Sequence, residues 1–233
     1  MFALALRRTK RSIFPILELL EPEPGRFQIL RKGTGFFIST DGMFLTASHC
    51  IESTAQDPRF VYHRLQPVEG QAAFQPIGEV YRDDKRDIYV GRIQVAVPDF
   101  LVVSSDIVEI GTSVCCAGYA EFDAAANGYQ PELIKPYFQP TAVLDYVKTV
   151  AVGNRTYDAV LLNDAILPGM SGGPVVDVHG NVVGLSASCT DPRVARLQNG
   201  EGEIQIRNGM AIRSDTIAEA LSHAAQNATA KPT

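Results

Sequence analysis

The chain has 233 residues, 45% of them hydrophobic, with a net charge of −5 and a pI near 5.4. That length and apolar content can bury a sizeable core and suit one all-β unit or two small barrels in one fold. The acidic balance gives no support to nucleic-acid binding, and no apolar stretch approaches a membrane span, so neither nucleic acid nor membrane is expected as a partner. At the N-terminus the basic cluster Arg7, Arg8, Lys10 and Arg11 follows a very short apolar run, the reverse of an export signal. It is read as a mobile arm or surface turn. Residues 12–20 follow as a first strand, with Pro15 favouring an edge, and then a turn at Glu21-Pro22-Glu23-Pro24-Gly25. Residues 33–50 read as an apolar strand, a Thr40-Asp41-Gly42 turn, a second strand and His49 just past its end. Short runs at 60–63 and 78–81 are consistent with meander strands. Asp87 then opens the alternating strand Ile88-Tyr89-Val90-Gly91-Arg92-Ile93. Residues 141–152 and 157–162 are two further strands joined by Gly153-Asn154-Arg155, and Val175 to Leu185 is a hairpin turning at His179-Gly180-Asn181. Residues 198–208 read as a polar, mobile loop. Residues 214–225 form the one persuasive helix, with Ser214 and Asp215 as cap candidates, and residues 227–233 are expected to be disordered.

The stretch that carries chemistry is Pro168-Gly169-Met170-Ser171-Gly172-Gly173-Pro174. A serine between glycines on a sharply bent backbone exposes its hydroxyl, and the N–H groups of Gly169, Met170 and Ser171 are placed to form an oxyanion hole. A serine hydroxyl is a poor nucleophile at neutral pH and needs a base. Two readings fit. G-x-S-x-G also describes the nucleophile elbow of α/β-hydrolases, but the elbow needs a helix directly after the serine. Here Pro174 and a strand follow, and its downstream partners would be Asp215 and His223 on a surface helix. The second reading takes its base and acid upstream. His49 removes the proton of Ser171, Asp87 fixes the imidazole tautomer, and the backbone N–H groups receive the developing oxyanion. Asp83 and Asp84 compete with Asp87 but sit in a charged run that reads as a solvated loop. His63, in a polar loop region, His179 and His223 read as surface residues.

The blocks Thr46-Ala47-Ser48-His49-Cys50, Asp87-Ile88-Tyr89-Val90-Gly91 and Gly169-Met170-Ser171-Gly172-Gly173-Pro174, in this order, resemble the trypsin/chymotrypsin-like serine proteases. With Gly33-Thr34-Gly35-Phe36, Asp41-Gly42 and Gly209-Met210-Ala211-Ile212 added, the resemblance is closest to the catalytic domain of the bacterial HtrA/Deg-type proteases, without a PDZ module after the helix. It implies two six-stranded Greek-key β-barrels with a C-terminal helix in one peptidase domain over 1–233: an N-terminal barrel over about 12–98, a second over about 107–213 that opens at 111–119, and a helix over about 214–225. The region 120–140 is then a surface loop near the active-site face.

The resemblance further implies a serine endopeptidase acting on protein or peptide substrates, with no cofactor. Its primary pocket would be lined by Ala165, by the wall Ser186-Ala187-Ser188-Cys189, and by Gly209-Met210. No acidic residue stands at Ala165 to receive a basic side chain, so small or medium apolar side chains are the expected preference. The residue before the serine, where trypsin-like zymogens carry an activating aspartate, is Met170, which implies activity without propeptide cleavage. Cys50 occupies a position that many secreted relatives use for a disulfide, but its partner region Gly33-Thr34-Gly35 has no cysteine. Cys115 and Cys116 are adjacent, and Cys189 has no counterpart. That pattern points to free thiols and a cytoplasmic setting, and no Cys/His spacing suggests a metal. The alternative from another class is a protease-fold protein that binds partners with latent or no activity; an esterase of the elbow type is a third.

Overall fold

The computed structural model of the chain describes residues 2–23, 26–53, 59–63, 74–97, 99–120, 135–151, 155–196 and 203–230. Helix α1 (Ala3–Ser12) leads into β1 (Ile13–Glu23), β2 (Arg26–Phe37) and β3 (Met43–Ala47), then a single 3-10 turn (Ser48–Ile51), β4 (Arg59–His63), β5 (Phe74–Pro76), β6 (Gly78–Asp83) and β7 (Ile88–Arg92). The second half holds β8 (Ser113–Gly118), β9 (Tyr137–Ala151), β10 (Arg155–Leu162), β11 (Pro174–Val176), β12 (Val182–Cys189), β13 (Arg193–Arg196), β14 (Glu203–Ile206), β15 (Gly209–Arg213) and helix α2 (Ser214–Ala230). Among the described residues no helix is long and apolar enough to cross a membrane.

The strands form two large sheets. The second closes into the expected six-stranded barrel, in the order β10-β15-β12-β11-β8-β9. The first has seven strands in the order β5-β4-β1-β2-β3-β7-β6, one more than expected. The extra one arises because its two edge strands, β5 and β6, are separated only by Ile77, whose N–H turns to the Phe60 carbonyl (3.2 Å). One bent stretch therefore serves as both edges, and the chain itself, not a hydrogen-bonded pair, joins them. Phe14, Phe37 and Phe44 fill the first sheet's interior, with ring centroids 4.6 and 5.2 Å apart from Phe14. Val114, Cys116, Val160, Leu162, Met170 and Val175 fill the second barrel. A third apolar layer joins the two sheets, with Phe36, Leu45 and Val90 from the first meeting Ala117, Tyr119, Val176 and Leu185 from the second, and Ile217 and Ala220 of α2 closing over it. Strands buried on both faces read as continuous apolar runs, which is why Phe44-Leu45 and Val182-Val183 do not alternate with polar residues.

Several expectations need correction. The basic N-terminal cluster is no mobile arm but most of α1: Ala, Leu, Arg and Lys are good helix formers, and the inward side chains Ala5, Thr9 and Ser12 are buried. Arg11 pairs with Asp99 (3.3 Å). Ser12 thus ends a helix instead of starting a strand. β1 lies inside its sheet, between β2 and β4, but β4 pairs only from Ile16 onward. Thr34, the partner of Pro15 on β2, aims its own N–H away at Ser171, so the missing proline N–H falls on the side β4 leaves open, and no ladder bond is lost. The strand continues through Glu23, with 24–25 of the expected turn outside the described residues. His63 is in β4, not a loop. The region 120–140 is not all loop, because β9 begins at Tyr137, paired with Gly118; residues 121–134 lie outside the described residues. Within 198–208, Glu203–Ile206 is strand β14, paired with β13, and 198–202 are outside. Gly153 and Asn154 are also outside, and Arg155 already belongs to β10. Helix α2 runs on to Ala230 in place of a disordered tail, carried by an alanine-rich end; residues 231–233 are outside. Ser214 and Asp215 do not act as simple caps. The Ser214 hydroxyl donates to the Asp106 carbonyl (2.9 Å), and Asp215 accepts from Arg213 Nε (3.1 Å) and the Thr216 N–H (2.9 Å).

Candidate active site

Strands β3 and β7 are antiparallel neighbours, and their last pair is Ala47 with Ile88. One residue past that end, the 3-10 turn carrying His49 and the residue Asp87 therefore face each other. The Ser48 N–H bonds the Asp87 carbonyl (3.1 Å). Asp87 is buried, 2% exposed, and holds a left-handed backbone (φ 60°), a conformation aspartate tolerates better than most side chains. That twist turns the carboxylate back toward the histidine. Oδ2 lies 2.8 Å from His49 Nδ1, while Oδ1 accepts the His49 backbone N–H (3.0 Å) and the Ser48 hydroxyl (3.1 Å). A carboxylate oxygen at that distance assigns the ring proton to Nδ1 and leaves Nε2 as the acceptor. Burial works against the imidazolium, but the hydrogen bond and charge of Asp87, with the Cys50 sulfur alongside, outweigh it and hold the His49 pKa above the ordinary histidine range. Asp83 and Asp84 are engaged elsewhere, with the Arg86 N–H (2.9 Å) and Arg82 (2.6 Å).

Ser171 comes from the second barrel, on the turn before β11. Its carbonyl accepts the Thr34 N–H (2.8 Å) and the Cys50 thiol (3.4 Å), which seats it against the residue next to His49. Its hydroxyl donates to the Ala187 carbonyl at 3.4 Å, a long bond. The turn closes through Gly173 N–H to the Met170 carbonyl (2.9 Å) and is pinned to β12 by Gly172 N–H to the Ser186 carbonyl (2.7 Å). Gly169 and Gly172 both have positive φ, 85° and 79°, and a Cβ on Gly172 would run into Thr34 and Thr46 of the first sheet. Of the three residues expected around an oxyanion, Met170 spends its N–H on the Leu167 carbonyl (3.0 Å), and its side chain is wholly buried in the barrel. Among the described residues no main-chain carbonyl takes the N–H of Gly169 or Ser171.

Thr34 is the part sequence reasoning named only as motif. Fully buried, it accepts the Tyr119 N–H (2.9 Å) at the hydroxyl that donates to the Gly169 carbonyl (2.9 Å), while its own carbonyl takes the Thr46 hydroxyl (2.8 Å). One residue of the first sheet thus fixes both ends of the Gly169-Met170-Ser171 turn. Thr34→Val, close in shape, strands the Tyr119 N–H and frees the Gly169 carbonyl. The expected result is a loss of about 2–4 kcal/mol by denaturant unfolding, with turnover about tenfold lower as the turn loosens.

Of the residues expected to line a pocket, Ser188, Cys189, Gly209 and Met210 lie together beside the Asp164–Ile166 backbone. Gly209 N–H bonds the Asp164 carbonyl (3.0 Å), Cys189 Sγ donates to the Ile166 carbonyl (3.2 Å), and Cys189 pairs with Gly209 across the β12–β15 ladder, with Ser188 opposite Met210. The Ala165 carbonyl accepts Gln139 Nε2 (3.0 Å), and Ser188 Oγ meets the Tyr157 hydroxyl (3.0 Å). Ser186 is fully buried, as is most of Ala187. A separate polar cleft of about 400 Å³ opens between β6, β10 and α2, lined in part by Tyr81, Lys148, Tyr157 and His223; it contains none of His49, Asp87 and Ser171. His223 is exposed and stacks on Tyr81 (6.3 Å between centroids), and His179 lies in the β11–β12 turn. Asp215 is tied to Arg213 and a strand, not a helix, follows Ser171, so the elbow arrangement is not built.

All four cysteines are free, and Cys50, Cys115 and Cys116 are buried. Burial pushes the Cys115 thiol up to about 11 and Cys116 to about 12. Since the thiolate is the reactive form, Cys115 and Cys116 are expected to resist Ellman's reagent at pH 8 in native protein and to react once it is denatured. Among the described residues no group of three His, Cys, Asp or Glu side chains is placed to hold a metal ion.

Comparison with known proteins bears on the family and the fold. The chain spans about a quarter of the length of one curated relative, the uncharacterized protein y4bJ of Sinorhizobium fredii, to which it is 29% identical over 170 residues, or 72% of its own length and 24% of the relative. Among solved structures it is similar in fold to the Rv3671c protease of M. tuberculosis in its active form, with a TM-score of 0.61 and 18% identity over 94% of this chain and 82% of that one. It is likewise similar to the HtrA-type protease AlgW solved with a decapeptide, with a TM-score of 0.67 and 18% identity over 97% and 68%. The family model described as the trypsin-like peptidase domain matches residues 33–185, the span that holds His49, Asp87 and Ser171, and the chain belongs to that family of serine-type peptidases.

Proposed function

We propose that the chain is a serine endopeptidase that hydrolyses peptide bonds through His49, Asp87 and Ser171 and a covalent acyl-enzyme. The observation that carries this reading is the ring of His49 held by buried Asp87 at 2.8 Å, with Ser171 seated through its carbonyl on the thiol of the adjoining Cys50. In the attack, Ser171 Oγ bonds to the scissile carbonyl carbon as its proton passes to His49 Nε2, and the carbonyl oxygen becomes an oxyanion facing the Gly169 and Ser171 N–H groups. The C–N bond then breaks and the same proton leaves with the amine. Water repeats the sequence on the ester, releasing the acid and restoring Ser171. Attack needs neutral His49, and the raised pKa places the acid limb of kcat/KM above the ordinary histidine value of about 6.5.

Small or medium apolar side chains are the proposed primary preference, supported by Ala165, Ala187, Gly209 and Met210 around the pocket. Both sheets act as one catalytic unit, since each contributes to the triad. Met170, uncharged and buried, needs no new N-terminal amine to hold the turn, so no activating cut is invoked. Four free thiols favour a reducing, cytoplasmic setting. A protein or peptide is the proposed partner. One observation favours a second reading, a latent or binding-only protein: the Ser171 hydroxyl leans on the Ala187 carbonyl. A serine-directed fluorophosphonate followed by a peptide-library digest separates the two. Labelling at Ser171 that is lost in His49→Ala supports the peptidase, and the digest then reads the pocket. A folded protein that takes no label supports the latent form.

A further inference from the structure

Asp87 touches a second cation, and it comes from the other sheet. Arg155 opens β10 of the second barrel, yet its Nε lies 3.3 Å from Asp87 Oδ1, with the guanidinium 15% and the carboxylate 3% exposed. The strand is held there by its own backbone, because the Thr156 N–H bonds the Lys85 carbonyl (2.7 Å) two residues before Asp87. One residue further, the Tyr157 hydroxyl meets Ser188 on β12. The two carboxylate oxygens are thereby divided. Oδ2 serves the imidazole, while Oδ1 receives the His49 N–H and the Ser48 hydroxyl and has the arginine's charge beside it at 3.3 Å.

Charged and titratable neighbours reach this cluster from every side. Glu52, just past the 3-10 turn, pairs with Arg155 Nη2 and lies 3.8 Å from Arg82 of β6. Arg82 is bound to Asp84 (2.6 Å), and Asp83 to Arg86 (3.8 Å). Cys50 flanks His49, and Tyr157 flanks both Asp87 and Arg155. Among the described residues Arg155 is the one cation other than His49 paired with Asp87.

We propose that Arg155 is a positioning residue for the reaction at Ser171: acting through Asp87, it holds the carboxylate against His49 and restrains the basicity that the carboxylate confers on the imidazole. The proposal rests on the peptidase reading for its consequence in turnover, though not for the coupling itself. The buried carboxylate already holds the imidazolium above its ordinary range with Arg155 in place; without that counter-charge the ring keeps its proton to higher pH still and is a poorer acceptor for the serine proton. A guanidinium on the opposite oxygen draws off part of that field, and, anchored through Nη2 on Glu52, it backs the carboxylate from the side away from His49. Glu52, by neutralising part of the arginine, sets how much of the field reaches His49.

The test measures the His49 ring titration by NMR in the intact protein, beside kcat/KM against pH. Arg155→Gln is expected to raise the His49 pKa by about one unit and to carry the acid limb up with it, so that activity measured one unit below the original limb falls about tenfold. Arg155→Lys, which keeps the charge, is expected to stay near the parent. Glu52→Gln is expected to move the titration the opposite way. An unmoved or lowered His49 pKa in folded Arg155→Gln, or equal shifts for the Lys and Gln variants, overturns the proposal, since a purely structural staple would cut kcat without moving the titration. Should Arg155→Gln fail to fold with Glu52 stranded, the same step is read between Glu52→Gln and Glu52→Gln/Arg155→Gln, where an unmoved His49 overturns it equally. The NMR titration needs no turnover. The expected shifts in a protein without hydrolysis would uphold the coupling and overturn the peptidase reading alone.

Discussion

Ser171→Ala is expected to lower kcat on a peptide substrate about a million-fold while leaving the unfolding midpoint nearly unchanged. The two halves of that expectation come from different atoms. Chemically, no other hydroxyl lies on the Gly169-to-Gly173 turn, so nothing replaces the nucleophile. Energetically, Oγ makes one bond, 3.4 Å long, to a main-chain carbonyl, and a bond of that length contributes little. The turn is instead held by main-chain atoms of residues 170, 171, 172 and 173 and by Thr34, which alanine leaves in place. His49→Ala is expected to cost a similar factor, and the double variant scarcely more, because nucleophile and base act as one unit. Kinetics on a fluorogenic peptide and thermal melts check both; a loss of only ten- to a hundredfold would point to water attack without Ser171.

Asp87→Asn is expected to cost about ten-thousand-fold in kcat, with the residual activity persisting to lower pH than in the parent. The direction follows from the sign of the charge: Asp87 raises the His49 pKa, and attack needs the neutral ring, so removing the carboxylate lets His49 lose its proton at lower pH. The size follows from the tautomer, since an amide NH2 facing Nδ1 forces the proton onto Nε2, the wrong nitrogen for a base. Asparagine also accepts the left-handed backbone of residue 87, so the variant isolates electrostatics from fold. Asp87→Ala does not. Besides the counter-charge that both variants take from Arg155, it adds the backbone cost and leaves the His49 N–H and Ser48 hydroxyl without their acceptor, for an expected loss of about 3–5 kcal/mol. A pH profile and denaturant unfolding of both variants separate the two effects.

The meeting of His49 with Asp87, and the glycine turn that carries Ser171, were legible because each sits in a short block whose own letters show a strand end or a turn. The strands around them were legible from apolar runs between Gly, Pro and Asn. What escaped depends on contacts far apart in the chain. Nothing near Arg155 announces that its guanidinium meets Asp87, because only the docking of β10 beside the Lys85 carbonyl brings it there. The double duty of Thr34 is invisible for the same reason. Helix α1 escaped because it is one short run whose charged letters dominate, and its buried positions Ala5, Thr9 and Ser12 are not strongly apolar. Met170 looked like a member of the oxyanion loop; its N–H turns inward to Leu167 and its side chain is a core residue, a distinction set by backbone direction and not by residue type.

The seam between the sheets also orders events during synthesis. Base and acid lie on the first sheet and are complete once β7 pairs with β3, but Ser171 belongs to a barrel that needs β15 to join β10 to β12. A ribosome-bound chain can therefore carry a paired histidine and aspartate while residues 93–208 are still being made and, without its nucleophile in place, be harmless to neighbouring nascent chains. On the peptidase reading, the nucleophile meets its base only when β15 closes the second barrel.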